Sequence, residues 1–489
     1  MAPPLSTSCP DDVLSVLRYL RQAGHDAFLV GGCVRDHLLG IPPKDWDIVT
    51  DAVPDQVEAL FPRTVPIGKA FGVILVVGNE REYEVATFRG DGEYHDGRRP
   101  ESVHFSSAEE DARRRDFTIN ALMYDPFEDR VIDYVDGRAD LAAGVIRAVG
   151  VPEQRFREDA LRLLRAVRFA ARTGFRLEPA TAAAVEGLAG TINRVSCERV
   201  GDEIRRMLSE GSARPSLELL RGTGLLTCVL PEVAAMGGVP QPPQFHPEGD
   251  VLTHTLLMLG HLDKTVSRSL ACAGAADPER DDLCCGGIAE AKQRFLVRPE
   301  SAGGLVIHDG HDREALAWAV LLHDVGKPDT LTFADRIRFN GHDAKGREIA
   351  EAVLARCRQR VKTAGLASEL ISGHMRFAHI QRMREAKRRR FLQNPAFPLH
   401  LELHRLDCVG SHQDFAHFDF ALEAWHEEAM RPVPPAPLLT GRDLLEMGYG
   451  AGPRMGEILR AVEDARLEGA IADSATAKAW VKARYDVQA

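Results

Sequence analysis

The sequence predicts an α/β N-terminal domain followed by all-α domains, and three observations carry the prediction. Through about residue 150 short apolar runs alternate with helical patterns. From Glu153 onward amphipathic periodicity takes over, with few strand signals between the helical segments. At residues 241–249 (QPPQFHPEG) the proline density marks a boundary before a second, histidine-rich helical region. A chain of 489 residues is too long for one ordinary domain. The expected divisions are 1–150, 151–240, 241–430 and 431–489.

Taken in order, residues 28–30 read as a strand entering a Gly31-Gly32 turn and residues 34–39 as a short helix. Residues 46–49 read as a second strand, and residues 72–89 as a β-hairpin turning at Gly78-Asn79. Residues 156–173, 181–188, 197–208 and 216–222 each fit an amphipathic helix. Residues 271–312, rich in Ala, Gly and Asp, read as an insertion. RPVPPAP at 431–437 reads as a stiff linker, with a helical tail from Thr440.

Composition narrows the function classes. The nine cysteines (9, 33, 197, 228, 272, 284, 285, 357 and 408) are scattered and contain no CxxC pair, so neither a disulfide framework nor a zinc ribbon is indicated, and a reducing cytoplasm fits. The N-terminus lacks a basic segment followed by an apolar run, and no apolar stretch has membrane-spanning length, so a protein neither secreted nor membrane-spanning is expected. A net charge of −11 argues against a general nucleic-acid coat. An RNA partner would meet local basic patches, of which residues 387–390 (KRRR) are one candidate.

Asp45-Trp46-Asp47 is the sharpest chemical signal in the N-terminal half. Residues two apart on a strand project to one face, so both carboxylates can share a pair of divalent ions while Trp46 turns away. Phosphoryl transfer to a hydroxyl gains most from such a clamp. Alone the pattern is weak, because short acidic pairs are common at strand ends. The sequence before it adds weight: Gly31-Gly32 opens onto a helix, where backbone N–H groups can approach phosphate oxygens, and Arg35 offers a bidentate donor. Glu84, in the alternating strand REYEVATFR, is a third candidate carboxylate.

GGCVRD, DWDIVTDA, YEVATFR, RRRDFTINAL, DYVDGRADL and FREDALRLLRAVRFA, in this order over about residues 25–230, resemble the motifs of the class II tRNA nucleotidyltransferase and bacterial poly(A) polymerase family. The resemblance implies a polymerase-β-like nucleotidyltransferase domain in which Asp45 and Asp47 hold the catalytic metals. It further implies that Arg115, Asp116 and Asn120 recognise the ribose and phosphates of the incoming nucleotide, and that Glu158, Asp159 and Arg162 read its base. Asp159 and Arg162 lie three apart on the helix read over 156–173 and so share a face, where an acid and a guanidinium can meet a base edge or simply pair with each other. Arg165, Arg168 and Arg172 continue that helix as a basic side, free to cradle an acceptor stem or to face solvent.

A second constellation follows. Adjacent His323 and Asp324 at the end of an apolar stretch can ligate one ion together, with distant His254 and Asp407 completing a shell. The order H…HD…D resembles that of the HD phosphohydrolase family. His308-Asp309 and His311-Asp312 fall in the insertion without a preceding apolar helix and are set aside as decoys. His342 and His374 are candidates for a second ion, and His246 is a substitute for His254, whose separation from His323 is long for a compact domain of this kind. All-oxygen ligands at Asp45 and Asp47 suit Mg²⁺, whereas mixed imidazole and carboxylate suits a transition metal such as Ni²⁺, Mn²⁺ or Co²⁺.

The preferred reading is CCA addition to tRNA from CTP and ATP, with a metal-dependent phosphohydrolase attached. A-only or CC-only addition and poly(A) synthesis are rivals within the family, although residues 90–103 resemble a flexible loop that CC-only members tend to lack. From other classes come an HD hydrolase carrying a decayed transferase, opposed by the intact Asp45 and Asp47, and a noncatalytic RNA-binding module. Oligomeric state is not legible.

Overall fold

The computed structural model describes residues 5, 9–43, 45–78, 81–91, 103–274, 295–296, 306–307, 309–333, 335–431 and 437–486. Asn79, most of the 90–103 loop, most of the 271–312 insertion and linker residues 432–436 lie outside the described residues. The chain divides into two units, Met1–Met207 with Ser212–Ala234 and Arg356–Arg358, and Leu208–Gly211 with Ala235–Ala355 and Gln359–Ala489.

In the first unit the alternation read from the sequence becomes a sheet. Its strands are β1 (Ala27–Val30), β2 (Asp47–Thr50), β3 (Thr64–Gly68), β4 (Val73–Val77) and β5 (Glu82–Thr87), then, past a separate two-stranded ladder of β6 (Arg89–Asp91) and β7 (Val103–Phe105), β8 (Met123–Asp125) and β9 (Arg130–Ile132). The order is β3-β4-β5-β2-β1-β8-β9, with β2 and β5 parallel and β1 and β2 antiparallel. Strand parity sorts the side chains into two cores. Leu29, Trp46, Ile48, Tyr83 and Val85 pack with the helix Asp11–Gln22, while Phe28, Val30 and Val49 pack on the other side with Phe88 and Met123. Trp46 anchors the entry to β2 in the first core, which leaves Asp47 on the opposite face. The register Ile48↔Val85 sets Asp47 beside Glu84 by the same parity.

The helix expected over 156–173 is two helices. Pro152–Glu158 ends at Asp159, whose backbone is extended (φ −148°, ψ 105°), and Leu161–Thr173 begins after it. The Asp159 carboxylate accepts the Leu161 N–H at 3.1 Å, a local side-chain bond that competes with helix continuation. The shared helical face of Asp159 and Arg162 is therefore corrected. The remaining expected helices are present as Pro179–Leu188, Cys197–Ser209 and Ala213–Gly222.

In the second unit the helix Gly310–Leu322 is apolar on all sides from Ala315 onward, and Ala315 through Leu322 are fully buried. Around it pack the helices Val251–Gly274, Val361–Gly373 and Phe397–Gly410. His311 and Asp312 lie in its first turn, so they belong to this helix and not to the insertion. The region is not wholly helical, since Leu331–Phe333 and Ile337–Phe339 form a hairpin, and Phe295–Leu296 pairs with Val306–Ile307. The tail helices Gly441–Glu446, Pro453–Leu467 and Ser474–Arg484 share a core of Leu444, Ile458, Val462 and Val481.

Gly326, after the His323-Asp324 pair, permits a close backbone approach: a Cβ there would lie 2.3 Å from the His342 carbonyl oxygen and 2.5 Å from the Gly346 nitrogen. Gly326→Ala must push the helix His342–Arg356 away. We expect a destabilisation of about 1–3 kcal/mol in chemical denaturation of the second unit. An unchanged denaturation midpoint would contradict the tight approach.

Candidate active sites

The first site is built where β1 ends and β2 begins. Gly31 has φ +77°, a conformation suited to glycine, and a Cβ on it would sit 3.7 Å from Arg115 Nη1 and 4.0 Å from Asp47 Oδ2. The Gly31-Gly32 turn, the second acid of the DxD pair and the RRD segment thus meet at one point. Asp45 and Glu84 are exposed and Asp47 is half-buried. Burial, then the charge of Glu84, push the Asp47 carboxyl up to about 6, with Arg115 opposing and Asp45 adding to the rise. Among the described residues the three acids do not close into a set with ligand atoms within 4.8 Å of one another.

Behind this face runs a chain of ion pairs. Arg35 is buried, and its nitrogens donate to Asp36 Oδ1 (2.6 and 2.8 Å) and Asn120 Oδ1 (2.6 Å). Three of its five N–H groups are thus engaged in orienting neighbours. Asn120 Nδ2 donates to Asp116 Oδ1 at 3.1 Å, and Arg165 Nε donates to Asp116 Oδ2 at 2.8 Å. Burial raises the Asp116 carboxyl, but Arg165 and Asn120 outweigh it and hold it at about 2. Arg168 pairs with Glu203 at 2.6 Å and Arg172 with Asp36 at 2.9 Å. The expected basic side of this helix is thus a set of internal struts. Similarly, Arg389 of the KRRR run pairs with Glu428 at 3.0 Å, and Arg390 pairs with Asp464.

The candidate base-reading residues are held separately. Arg162 Nη1 donates to Glu158 Oε2 at 2.6 Å, while Asp159 accepts from Arg199 at 2.6 and 3.2 Å. Sequence reasoning missed Arg199. It also missed Asp111, a fully buried carboxylate that receives both Arg114 (2.6 Å) and Arg115 (2.9 Å). The spacing of Asp111 from those arginines, three and four residues on a helix, was the available signal.

In the second unit the structure brings His254, His323 and Asp407 within 4.8 Å of one another, and likewise Asp324, His342 and His374. The long sequence separation of His254 is spanned by the fold, and His246 instead binds Glu248 at 2.9 Å. His254 Nε2 lies 3.2 Å from Asp407 Oδ1, and His323 Nε2 lies 3.2 Å from Asp324 Oδ2. Yet both Nε2 atoms are buried without a hydrogen bond of acceptable geometry. His342 Nε2 and His374 Nε2 face each other at 3.1 Å, while each Nδ1 lies against a backbone carbonyl. With the ring protons drawn to those carbonyls, two lone pairs converge, an arrangement that a cation relieves. Orphaned nitrogens and converging lone pairs fit a metal centre with Asp324 between the two groups.

Burial lowers the His254 imidazole, but Asp407 and Glu248 outweigh it and raise it to about 9. Burial and His323 push His374 down to about 4. Missed by sequence reasoning were Glu248, which holds His254 Nδ1 at 2.7 Å, and Lys327, buried with its Nζ 2.7 Å from Asp324 Oδ2. The HDVGK spacing was the signal for the lysine.

Comparison with known proteins finds three family models that match separate parts of the chain. The family model of the poly A polymerase head domain matches residues 27–147, that described as "Probable RNA and SrmB- binding site of polymerase A" matches 174–236, and that of the HD domain matches 300–404. The chain is 46% identical over 215 residues to a CCA-adding enzyme of Geobacillus stearothermophilus (44% of this chain, 53% of that one). It is 42% identical over 234 residues to Poly(A) polymerase I of Salmonella typhi (46% and 50%). These matches span about half the length of the curated relatives. The fold of the Bacillus stearothermophilus CCA-adding enzyme in complex with CTP superimposes with a TM-score of 0.64 at 27% identity, covering 99% of this chain and 98% of that one. A Thermotoga maritima CCA-adding enzyme complexed with tRNA shares the fold (TM-score 0.56, 18% identity, 98% and 97%). Head and HD domains of these families are typically metal-dependent. Among the described residues no helix is long and apolar enough to cross a membrane.

The raised Asp47 carboxyl gives a stability prediction. An acid whose folded pKa is raised contributes stability that is present below its unfolded value of 3.8 and lost as pH rises through about 6. In EDTA, Asp47→Asn should therefore stabilise the metal-free chain at pH 8 by about 1–2 kcal/mol, with the advantage fading between pH 6 and 4. Denaturation midpoints across this range test it, and a variant no more stable than wild type at pH 8 refutes it.

The chain thus joins, in one polypeptide, regions that match the poly A polymerase head domain, that polymerase's probable RNA-binding site and the HD domain.

Proposed function

We propose that this chain adds CCA to the 3′ end of tRNA, using CTP and then ATP without a nucleic-acid template, in the cytoplasm. The observation that carries the reading is the meeting of Asp47, the Gly31-Gly32 turn and Arg115 at one point, in a chain that resembles a CTP-bound CCA-adding enzyme over nearly its whole length. Residues 1–150 form the catalytic domain, 151–240 the nucleotide-selecting and RNA-binding region, 241–430 the HD domain and 431–489 the linker and tail.

Asp45 and Asp47, with Glu84 as third carboxylate, would hold Mg²⁺, which when bound activates the 3′-hydroxyl and neutralises the triphosphate. The hydroxyl attacks the α-phosphorus and pyrophosphate leaves. Backbone N–H groups at Gly31-Gly32 cradle phosphate oxygens. Arg115, Asp116 and Asn120 hold the ribose and phosphates, and Arg35 acts through Asn120. Cytosine and adenine each present an exocyclic amine beside a ring nitrogen acceptor, a pair that Asp159 and Arg162 match with acceptor and donor, while Glu158 fixes Arg162.

In the HD domain, His254, His323, Asp324 and Asp407 would hold one transition metal such as Ni²⁺, Mn²⁺ or Co²⁺, and Asp324, His342 and His374 a second. Such ions lower the pKa of bound water, which suits hydrolysis of phosphate esters or 2′,3′-cyclic phosphates.

Three measurements test these assignments. With Mg²⁺ and tRNA transcripts ending at the discriminator base, C or CC, Asp45→Ala or Asp47→Ala should reduce labelled-nucleotide addition at least about a thousandfold while far-UV CD is unchanged. Activity within about tenfold of wild type sinks the metal assignment. The double variant Asp159→Ala, Arg162→Ala should raise UTP and GTP incorporation relative to CTP and ATP by at least about tenfold, and unchanged selectivity would place base reading elsewhere. Finally, His323→Ala with Asp324→Ala should remove transition-metal-dependent phosphohydrolysis and preserve nucleotide addition in Mg²⁺. Loss of addition with normal fold and tRNA affinity would show that the HD domain helps build the transferase site.

A further inference from the structure

The histidines of the second site are oriented by two different devices. His323, His342 and His374 each set Nδ1 against a backbone carbonyl three residues earlier, Val320 at 3.0 Å, Phe339 at 2.8 Å and Ile371 at 2.6 Å. All three stand at helix ends, His323 and His374 as C-terminal caps and His342 as a first residue, where carbonyls are within reach. His254 has no such option. It lies in the first turn of Val251–Gly274, and the corresponding carbonyl, that of Val251, accepts the Thr255 hydroxyl at 3.0 Å within the helix.

The Glu248 carboxylate takes the place of the carbonyl. Its Oε1 lies 2.7 Å from His254 Nδ1 and 2.9 Å from His246 Nδ1, and the two rings stand nearly perpendicular at 4.9 Å. The Glu248 side chain is 8% exposed, that of His254 is fully buried, and Glu248 Oε2 is buried with no hydrogen-bond partner among the described residues. One carboxylate oxygen between two imidazole nitrogens serves as an anchor. The His254 ring has only one other nitrogen, Nε2, and that atom faces Asp407 and His323.

We propose that Glu248 is a positioning residue for the HD metal centre: it accepts the His254 Nδ1 proton, so that Nε2 presents its lone pair to an ion shared with His323 and Asp407, and His246 holds Glu248 in place. The inference rests on the reading of this cluster as a metal centre. A carboxylate also makes the ligating nitrogen more basic than a carbonyl does, so Glu248 acts on affinity as well as orientation. His246, Glu248 and His254 as a separate three-ligand site is disfavoured, because it would use both nitrogens of one imidazole for ions.

The test is Co²⁺ binding to the full-length chain, followed by equilibrium dialysis and the d–d absorption of the bound ion, with His323→Ala, Asp324→Ala as baseline. Glu248→Ala should raise the Co²⁺ Kd about 10–100-fold and shift the d–d spectrum, while the number of ions bound at saturation stays the same. Glu248→Gln keeps an acceptor but not the charge and should fall between. His246→Ala should weaken binding less than Glu248→Ala, and the two together should be no worse than Glu248→Ala alone. A wild-type Kd in Glu248→Ala overturns the proposal, and loss of one whole ion at saturation overturns it by making Glu248 a ligand. Should Glu248→Ala fail to fold, a wild-type Kd in Glu248→Gln overturns it equally. If the baseline variant binds Co²⁺ as wild type does, the metal-centre reading itself fails and this inference falls with it.

Discussion

Groups that attract the same cation repel one another, and holding such groups together is the constraint on which both units depend. Asp47 and Glu84 are kept on one face by strand parity and by the parallel pairing of β2 with β5, and Asp45 stands just before β2. In the second unit the converging nitrogens are kept by helix ends packed around a central helix that is fully buried from Ala315 to Leu322. In the first unit the raised Asp47 carboxyl records the cost, from burial first and from the neighbouring Glu84 second. The hydrophobic burial of Trp46, Ile48 and Val85 in one case, and of Ala315 through Leu322 in the other, supplies the compensating stability.

The ion pairs behind the first site follow from the same constraint. A buried arginine removed from water needs its charge compensated, and Arg35 sets three N–H groups on Asp36 and Asn120. Each acid so engaged reaches a further base: Asp36 binds Arg172, and Asp116, beyond Asn120, binds Arg165. Residues expected to touch nucleotide are thereby tied to the helix Leu161–Thr173, which gives that helix a structural hold on the geometry of the site.

Much of this was legible in the sequence, and the failures share a cause. Strand alternation around Glu84, the Gly31-Gly32 turn and the apolar run before His323 are local patterns, and each appears where expected. The break at Asp159 carries no glycine or proline; there the carboxylate accepts the Leu161 N–H and pairs with distant Arg199, which periodicity cannot show. Arg35, Arg165, Arg168 and Arg172 read as ligand contacts or surface because their partners, including Asn120, Asp116, Glu203 and Asp36, come from remote segments. The start of the helix Gly310–Leu322 was taken for insertion because its first turn is polar and its apolar pattern begins only at Ala315.

Where a histidine finds its acceptor also decides how it can be inherited. A backbone carbonyl has no codon, so the orientations of His323, His342 and His374 survive any substitution that leaves the local chain path intact. The orientation of His254 is written in a single glutamate. Neutral drift can rewrite much of the surrounding helices without disturbing three of the imidazoles, whereas one nucleotide change at position 248 reaches the fourth directly.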